Sequence, residues 1–359
     1  MAAGNDLAGV HEPPGDEQGG RLPAMNPSPG TYRDLVVIGA SAGGVEALRS
    51  LVAGLPADLP AAVLVVLHLP AGGSSVLGSI LDDAGPLPSA AAEHGTPITS
   101  GHLYVAPPDH HLLVEGDCTV LSDGPTESGH RPAVNTLFRS AALARGPLVV
   151  GVVLSGVLDD GAAGLAAIRS SGGLAIVQDP DDAAYRGMPD SALATAGADH
   201  VLPAAAIGEQ LARLLAVPVE LPASDGPGAM LRYQEALGSL PESVTQAAGL
   251  VCPDCGRALS APAGDLEGFR CQAGHAWSAD ALLATADHRM QAALWTALRS
   301  LDEKTALARQ LEDTARGHGN EDRAQRYVAS GQETDAAARL IRARLTTDPA
   351  ETTKDGDPG

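Results

Sequence analysis

The stretch LVVIGASAGGVEALRSL, residues 35–51, decides how the chain is read. Leu35–Ile38 is an apolar, β-branched run of the kind that forms a strand covered on both faces. Val45–Leu51 has the Ala/Leu-rich pattern of a helix. Between them lies Gly39-Ala40-Ser41-Ala42-Gly43-Gly44, a G-x-S-x-G sequence at a strand-to-helix turn. Small neighbours let the chain turn sharply and lift a serine hydroxyl clear of the backbone, where N–H groups at the helix start can face an oxyanion. A dinucleotide-binding turn fits poorly, because Ser41 stands where the second glycine of G-x-G-x-x-G would be. A phosphate-binding Walker loop lacks its Gly-Lys-Ser/Thr. A catalytic turn and a plain tight turn both satisfy the motif.

Similar units follow. Val63–Leu67, Leu103–Ala106, Leu148–Leu154, Ala175–Gln178 and His200–Leu202 read as further strands, with helical patterns such as Ala163–Ser170 between them. This alternation predicts an α/β fold, a doubly wound and mostly parallel sheet with helices on both faces. A hairpin over Leu103–Val114, turning at Pro107-Pro108-Asp109, is expected to interrupt it.

Two strand ends add to Ser41. The run Ala61–Leu67 ends in His68, and Leu148–Leu154 leads into Ser155-Gly156-Val157-Leu158-Asp159-Asp160-Gly161. Chemistry in parallel sheets gathers at the carboxyl ends of strands, so serine, histidine and aspartate are offered to one edge, as a triad requires. Singly, His68 is one of 11 histidines and Asp160 would serve as a helix cap. The order Ser…His…Asp is not that of α/β-hydrolases.

The chain has 359 residues with 44 % apolar and 3 % aromatic side chains, and a formal charge of −21. Such a balance argues against nucleic acid as a partner, since phosphate binding needs a basic face. Residues 1–30 lack the basic start and apolar core of a signal peptide, and no apolar run is long enough to span a bilayer. A cytoplasmic protein without membrane insertion is expected.

Residues 34–203 resemble the catalytic domain of the CheB-type chemotaxis protein-glutamate methylesterases. The matching segments are Val37–Gly44, His68-Leu69-Pro70-Ala71-Gly72, Leu103–Pro107, Arg131-Pro132-Ala133-Val134-Asn135-Thr136-Leu137-Phe138, Leu154-Ser155-Gly156 with Asp160-Gly161-Ala162, and Gly187-Met188-Pro189. The resemblance implies a hydrolase with a triad of Ser41, His68 and Asp160 and no cofactor for catalysis. It would demethylate glutamate methyl esters, and deamidate glutamines, of a chemoreceptor or receptor-like protein, opposite a methyltransferase partner. Three departures stand out. Val157-Leu158-Asp159 replaces a turn that usually has a second glycine and often a methionine, which makes Asp159 a rival acid. Asn135 stands where aspartate is common. Residues 1–33 are too few for the family's receiver domain, so control by phosphorylation in cis is not expected. The alternative is a catalytically impaired scaffold that signals through its C-terminal module.

That module carries Cys252, Cys255, Cys271 and His275 in C-x₂-C-x₁₅-C-x₃-H spacing. Four such ligands suit tetrahedral Zn²⁺, and with no open position the metal would be structural. Disulfides are disfavoured in a reducing compartment, and Cys118 is left over. A zinc-ribbon-like unit of about thirty residues needs its metal to fold, whereas the sheet domain has its own core; chelation is expected to leave substantial activity. Behind it, Met290, Leu294, Leu298 and Leu301, then Leu307 and Leu311, recur at helical spacing. A break at Gly317-His318-Gly319-Asn320 precedes a second helix with Val328, Leu340, Ile341 and Leu345, so an αα-hairpin follows. The expected divisions are 1–31 disordered leader, 32–215 catalytic domain, 216–248 linker, 249–280 ribbon, 281–346 helical hairpin and 347–359 disordered tail.

Overall fold

A computed structural model of the chain describes residues 31–68, 76–219, 245–262 and 268–346. The expected leader (but for Thr31), most of the linker, the tail and the 69–72 segment of the family resemblance lie outside these residues.

The chain runs β1 (Leu35–Ala40), α1 (Gly44–Ala53), β2 (Ala62–Leu67), α2 (Leu77–Ala84), β3 (Ser89–Ala91), β4 (Leu103–Val105), β5 (His111–Glu115), β6 (Cys118–Ser122) and α3 (Val134–Arg145). It continues with β7 (Val149–Val153), α4 (Ala162–Ser170), β8 (Leu174–Gln178), α5 (Gly187–Thr195), β9 (His200–Leu202) and α6 (Ala204–Leu215). Seven strands form one parallel sheet in the order β3-β4-β2-β1-β7-β8-β9. All residues of β1, β2 and β7 are buried, as strands covered on both faces should be.

Alternation along β1 builds the two layers. Val36, Ile38 and Ala40 pack with Leu48 and Leu51 of α1, Leu81 of α2 and Leu211 of α6. Leu35 and Val37 pack on the other face with Leu137 and Phe138 of α3, Leu165 of α4 and Met188 of α5. The chain leaves β1 towards β2 and later returns to the other side of β1 as β7. The carboxyl end of β1 is therefore a topological switch point, where crevices in such sheets open.

The expected hairpin is corrected. β4 does not pair with β5; it lies between β2 and β3 within the parallel sheet. The antiparallel pair is β5 with β6, closed by Gly116-Asp117 with Gly116 at φ 56°. Prolines 107 and 108 lack the N–H a ladder needs, so they carry the chain off the sheet rather than back along β4.

The C-terminal part begins with a four-stranded antiparallel sheet, β10 (Thr245–Val251), β11 (Ala258–Pro262), β12 (Gly268–Cys271) and β13 (Ala276–Ser278). Two helices follow, α7 (Ala279–Gly317) and α8 (Glu321–Thr346); the break expected at 317–320 falls at 318–320, with Gly317 closing the first helix. Their buried residues are mostly small: Thr305, Ala308 and Ala315 with Leu298 on α7, and Ala324, Thr334 and Ala338 on α8. Leu307, Leu311 and Leu340 are exposed instead, Leu340 at 75 %. Small side chains let the helices approach closely: a Cβ on Gly331 would lie 3.5 Å from Ala308 Cβ.

Candidate active site and metal centre

Ser41 follows β1, His68 follows β2 and Asp160 follows β7, so three neighbouring strands deliver the three side chains to one edge. The turn that presents Ser41 depends on Gly43, which has φ 71° and whose Cβ would fall 2.7 Å from Ala184 Cβ. Gly156 is equally constrained, since a Cβ there would sit 2.9 Å from Ser41 Cβ. Ser155 stitches the turn to β7. Its carbonyl accepts the Ser41 N–H at 2.9 Å, and its hydroxyl donates to the Ala42 carbonyl at 2.8 Å.

His68 lies between the other two, with Nδ1 3.2 Å from Ser41 Oγ and Nε2 2.7 Å from Asp160 Oδ2. An ionised carboxylate only accepts, so Nε2 carries the proton and donates to Asp160. Nδ1 is then free to accept from the Ser41 hydroxyl, the arrangement a general base needs.

Asp160 is buried at 4 % exposure and is held by the start of α3. Its Oδ2 accepts the Val134 N–H at 2.7 Å and its Oδ1 the Asn135 N–H at 2.9 Å. Burial pushes its pKa up. The hydrogen bond and charge of His68, with those two N–H groups, outweigh burial and bring it down to about 2. Asn135 reciprocates: its Oδ1 accepts the N–H groups of Gly161 (3.1 Å) and Gly164 (2.7 Å) at the start of α4. An amide therefore caps α4 without placing a second carboxylate beside Asp160. Asp159 points elsewhere. Its Oδ1 accepts from Ser278 Oγ at 2.9 Å, and burial raises its pKa.

A second histidine completes the group. His130 stacks on His68 with ring centroids 3.7 Å apart and planes 11° from parallel. Burial, then the charge of His68, lowers its pKa to about 4, so it is neutral at ordinary pH. Tyr185, half exposed, adjoins the Ser41 turn. His130, Ser155 and Ser278 were not singled out as site residues from the sequence. His130 immediately precedes the Arg131-Pro132 segment, a signal that could have drawn attention to it; Ser278 has none.

The metal-ligand expectation also converges in space. Ligand atoms of Cys252, Cys255, Cys271 and His275 all lie within 4.8 Å of one another. Cys255 Sγ is 3.6 Å from Cys271 Sγ, and His275 Nδ1 is 3.6 Å from Cys252 Sγ and 3.4 Å from Cys271 Sγ. A tetrahedron with metal–sulfur bonds of about 2.3 Å has edges of about 3.8 Å, so the donor set fits Zn²⁺. Cys118 is half-buried in β6 and unbonded to sulfur. Among the described residues, no helix is long and apolar enough to cross a membrane.

Comparison with known proteins bears on the family. Residues 36–211 match the family model described as CheB methylesterase. The "protein-glutamate methylesterase/protein-glutamine glutaminase 1" of Geobacter metallireducens is 40 % identical over 197 residues, 54 % of this chain and 53 % of that protein. A protein of the same description from Anaeromyxobacter dehalogenans is 41 % identical over 200 residues, 55 % of this chain and 57 % of its own. The chain thus spans about half the length of the curated relatives it matches. The solved Thermotoga maritima CheB methylesterase catalytic domain is 34 % identical, covering 50 % of this chain and 98 % of that domain, with a TM-score of 0.49. Through its parallel-sheet domain, this chain belongs to the CheB methylesterase family.

Proposed function

We propose that the protein is a carboxylic ester hydrolase that demethylates glutamate methyl esters of chemoreceptors or receptor-like proteins. The observation that carries this reading is the continuous relay Ser41–His68–Asp160 at 3.2 and 2.7 Å. Relatives described as protein-glutamate methylesterases support the substrate class.

Ser41 Oγ attacks the ester carbonyl carbon while His68 Nδ1 takes the hydroxyl proton. Asp160, ionised down to about pH 2, stabilises the imidazolium through Nε2–H. The neutral His130 ring can lie against that cation without repelling it, as a protonated one would not. N–H groups at the start of α1 face the developing oxyanion. The tetrahedral intermediate collapses as Nδ1–H protonates the methoxide oxygen, and methanol leaves. Water, deprotonated by the same nitrogen, then attacks the acyl-enzyme and releases the glutamate carboxylate and Ser41. With a glutamine side chain the leaving group is ammonia.

The scaffold alternative rested on the altered turn at 157–159. In the structure that turn leaves Asp160 within 2.7 Å of His68, which favours the enzyme. Cys252, Cys255, Cys271 and His275 hold one structural Zn²⁺ in this reading, and the protein works from the cytoplasm opposite a methyltransferase. Methanol release from a methylated receptor tests the activity: wild type should produce it and Ser41→Ala should not.

A further inference from the structure

The C-terminal ribbon lies against two loops of the catalytic domain, and both loops carry site residues. Along the first, Ala276 N–H donates to the Thr126 carbonyl at 3.2 Å, and Ser128 N–H donates to the Ala276 carbonyl at 2.7 Å. Ser278 N–H reaches Ser128 Oγ at 3.3 Å, and a Cβ on Gly129 would touch the Trp277 ring at 3.2 Å. This segment then closes on itself through paired bonds between Glu127 and His130, at 3.1 and 2.9 Å, and so presents His130 to His68.

The second loop is 157–160. Leu158 has φ 63°, a left-handed conformation that costs a branched side chain roughly 1–2 kcal/mol and persists only when its surroundings hold it. Its side chain packs on the ribbon core formed by Cys252, Phe269 and Trp277. The neighbouring carboxylate of Asp159 accepts from Ser278 Oγ at 2.9 Å. The same hydroxyl accepts the Ala281 N–H at 3.1 Å and so caps α7.

We propose that Ser278 is a positioning residue of the active site: its hydroxyl, through Asp159, holds the loop bearing Asp160 in register with His68, while its backbone N–H, through Ser128 Oγ, ties down the loop bearing His130. The proposal rests on the esterase reading. Without the hydroxyl, the buried Asp159 carboxylate loses its donor beside Asp160, and the loop moves to solvate it. A shift of that kind misaligns Asp160 and His68 without touching the bound ester, so turnover falls and substrate binding does not. The C-terminal module thereby becomes part of the catalytic apparatus.

The test compares zinc-loaded, full-length wild type with Ser278→Ala, Ser278→Asp and Ser278→Thr. Aspartate keeps the helix cap but cannot donate to Asp159, whereas threonine keeps both functions. Methanol release from methylated receptor gives kcat and KM, and proton NMR follows the His68 imidazole N–H. Alanine should lower kcat about tenfold, the loss of one bond to a charged group, and aspartate at least as much, because its carboxylate also faces that of Asp159; KM should stay nearly unchanged, and threonine should restore kcat. The imidazole resonance should shift in the first two variants only. Should the alanine variant fail to fold, the aspartate variant decides. Wild-type kcat and an unmoved resonance in the alanine and aspartate variants overturn the proposal, as does a threonine variant as slow as alanine. If wild type itself releases no methanol, the esterase reading fails separately, and the resonance still decides whether Ser278 positions His68.

Discussion

His130 lies flat on His68, 3.7 Å between ring centroids and 11° from parallel, within a network that already binds both nitrogens of His68. Burial, with the charge of His68 across the stack, keeps His130 neutral down to about pH 4.

This relationship gives stability a pH dependence. The folded pKa of His130 is lowered to about 4 while the unfolded chain titrates near 6.5, so between those values the unfolded state binds the extra proton. Stability contributed by keeping His130 neutral is present above pH 6.5 and declines as pH falls towards 4, by up to about 3 kcal/mol. Asp160 acts in a lower window: its depressed pKa stabilises the fold above about pH 4, and that contribution fades as pH falls through about 2. Denaturant melts from pH 7 to 4 should show the first loss in wild type and a flatter profile in His130→Phe. Parallel profiles would place the titrating group elsewhere.

Asp160→Asn should reduce turnover by about four orders of magnitude, since an amide would favour the wrong histidine tautomer. Asp159→Asn should cost far less, because its Oδ1 can still accept from Ser278 and it does not reach His68. Steady-state methanol release ranks the two, and the reverse ranking contradicts the assignment of the acid.

Asn135→Ala should destabilise the catalytic domain by about 1–2 kcal/mol, the usual effect of removing a helix cap. Its Oδ1 is the acceptor for Gly161 and Gly164, and Gly161 directly follows Asp160, so kcat should drop as well. Urea melts and turnover measured on the same sample check both. A change in stability without any change in kcat would show that the α4 cap does not hold the acid.

Chelation should unfold the ribbon while sparing the parallel-sheet domain, because a unit of about thirty residues draws its folding energy from the metal. Buried Trp277 should then report by a red-shifted fluorescence against the already exposed Trp295. Activity should fall to the level of Ser278→Ala and remain measurable, since Ser41, His68 and Asp160 all stand on the sheet domain. Complete loss would put the metal in the chemistry, and full retention with an unfolded ribbon would detach the module from the site.

Much of this arrangement was legible in the sequence, for physical reasons. The continuous apolar runs ending in Ser41, His68 and before Asp160 mark strands buried on both faces, and parallel strands bring their carboxyl ends to one edge. Cysteine spacing pointed to the cluster of Cys252, Cys255, Cys271 and His275 because a knuckle is a local structure. The short strand Ser89–Ala91 went unread, since its residues carry no β-branched pattern. Pro107-Pro108-Asp109 resembled a hairpin turn, but local turn chemistry says nothing about which strands pair. The leucine stripes of α7 and α8 marked helices correctly, yet Ala308 and Gly331 made the close approach and Leu340 stayed exposed. Ser278 and Asp159 are 119 residues apart and meet only because the ribbon docks, a relationship that no local pattern encodes.

The central claim is that Ser41 forms an acyl-enzyme on a glutamate methyl ester. Incubating the protein with receptor carrying isotope-labelled methyl esters, and quantifying labelled methanol alongside active-serine labelling by peptide mass spectrometry, tests it most directly. The account predicts methanol release by wild type, none by Ser41→Ala, and probe adduct on Ser41 that is lost in that variant. Methanol release that persists in Ser41→Ala, or an adduct on another serine, would contradict it.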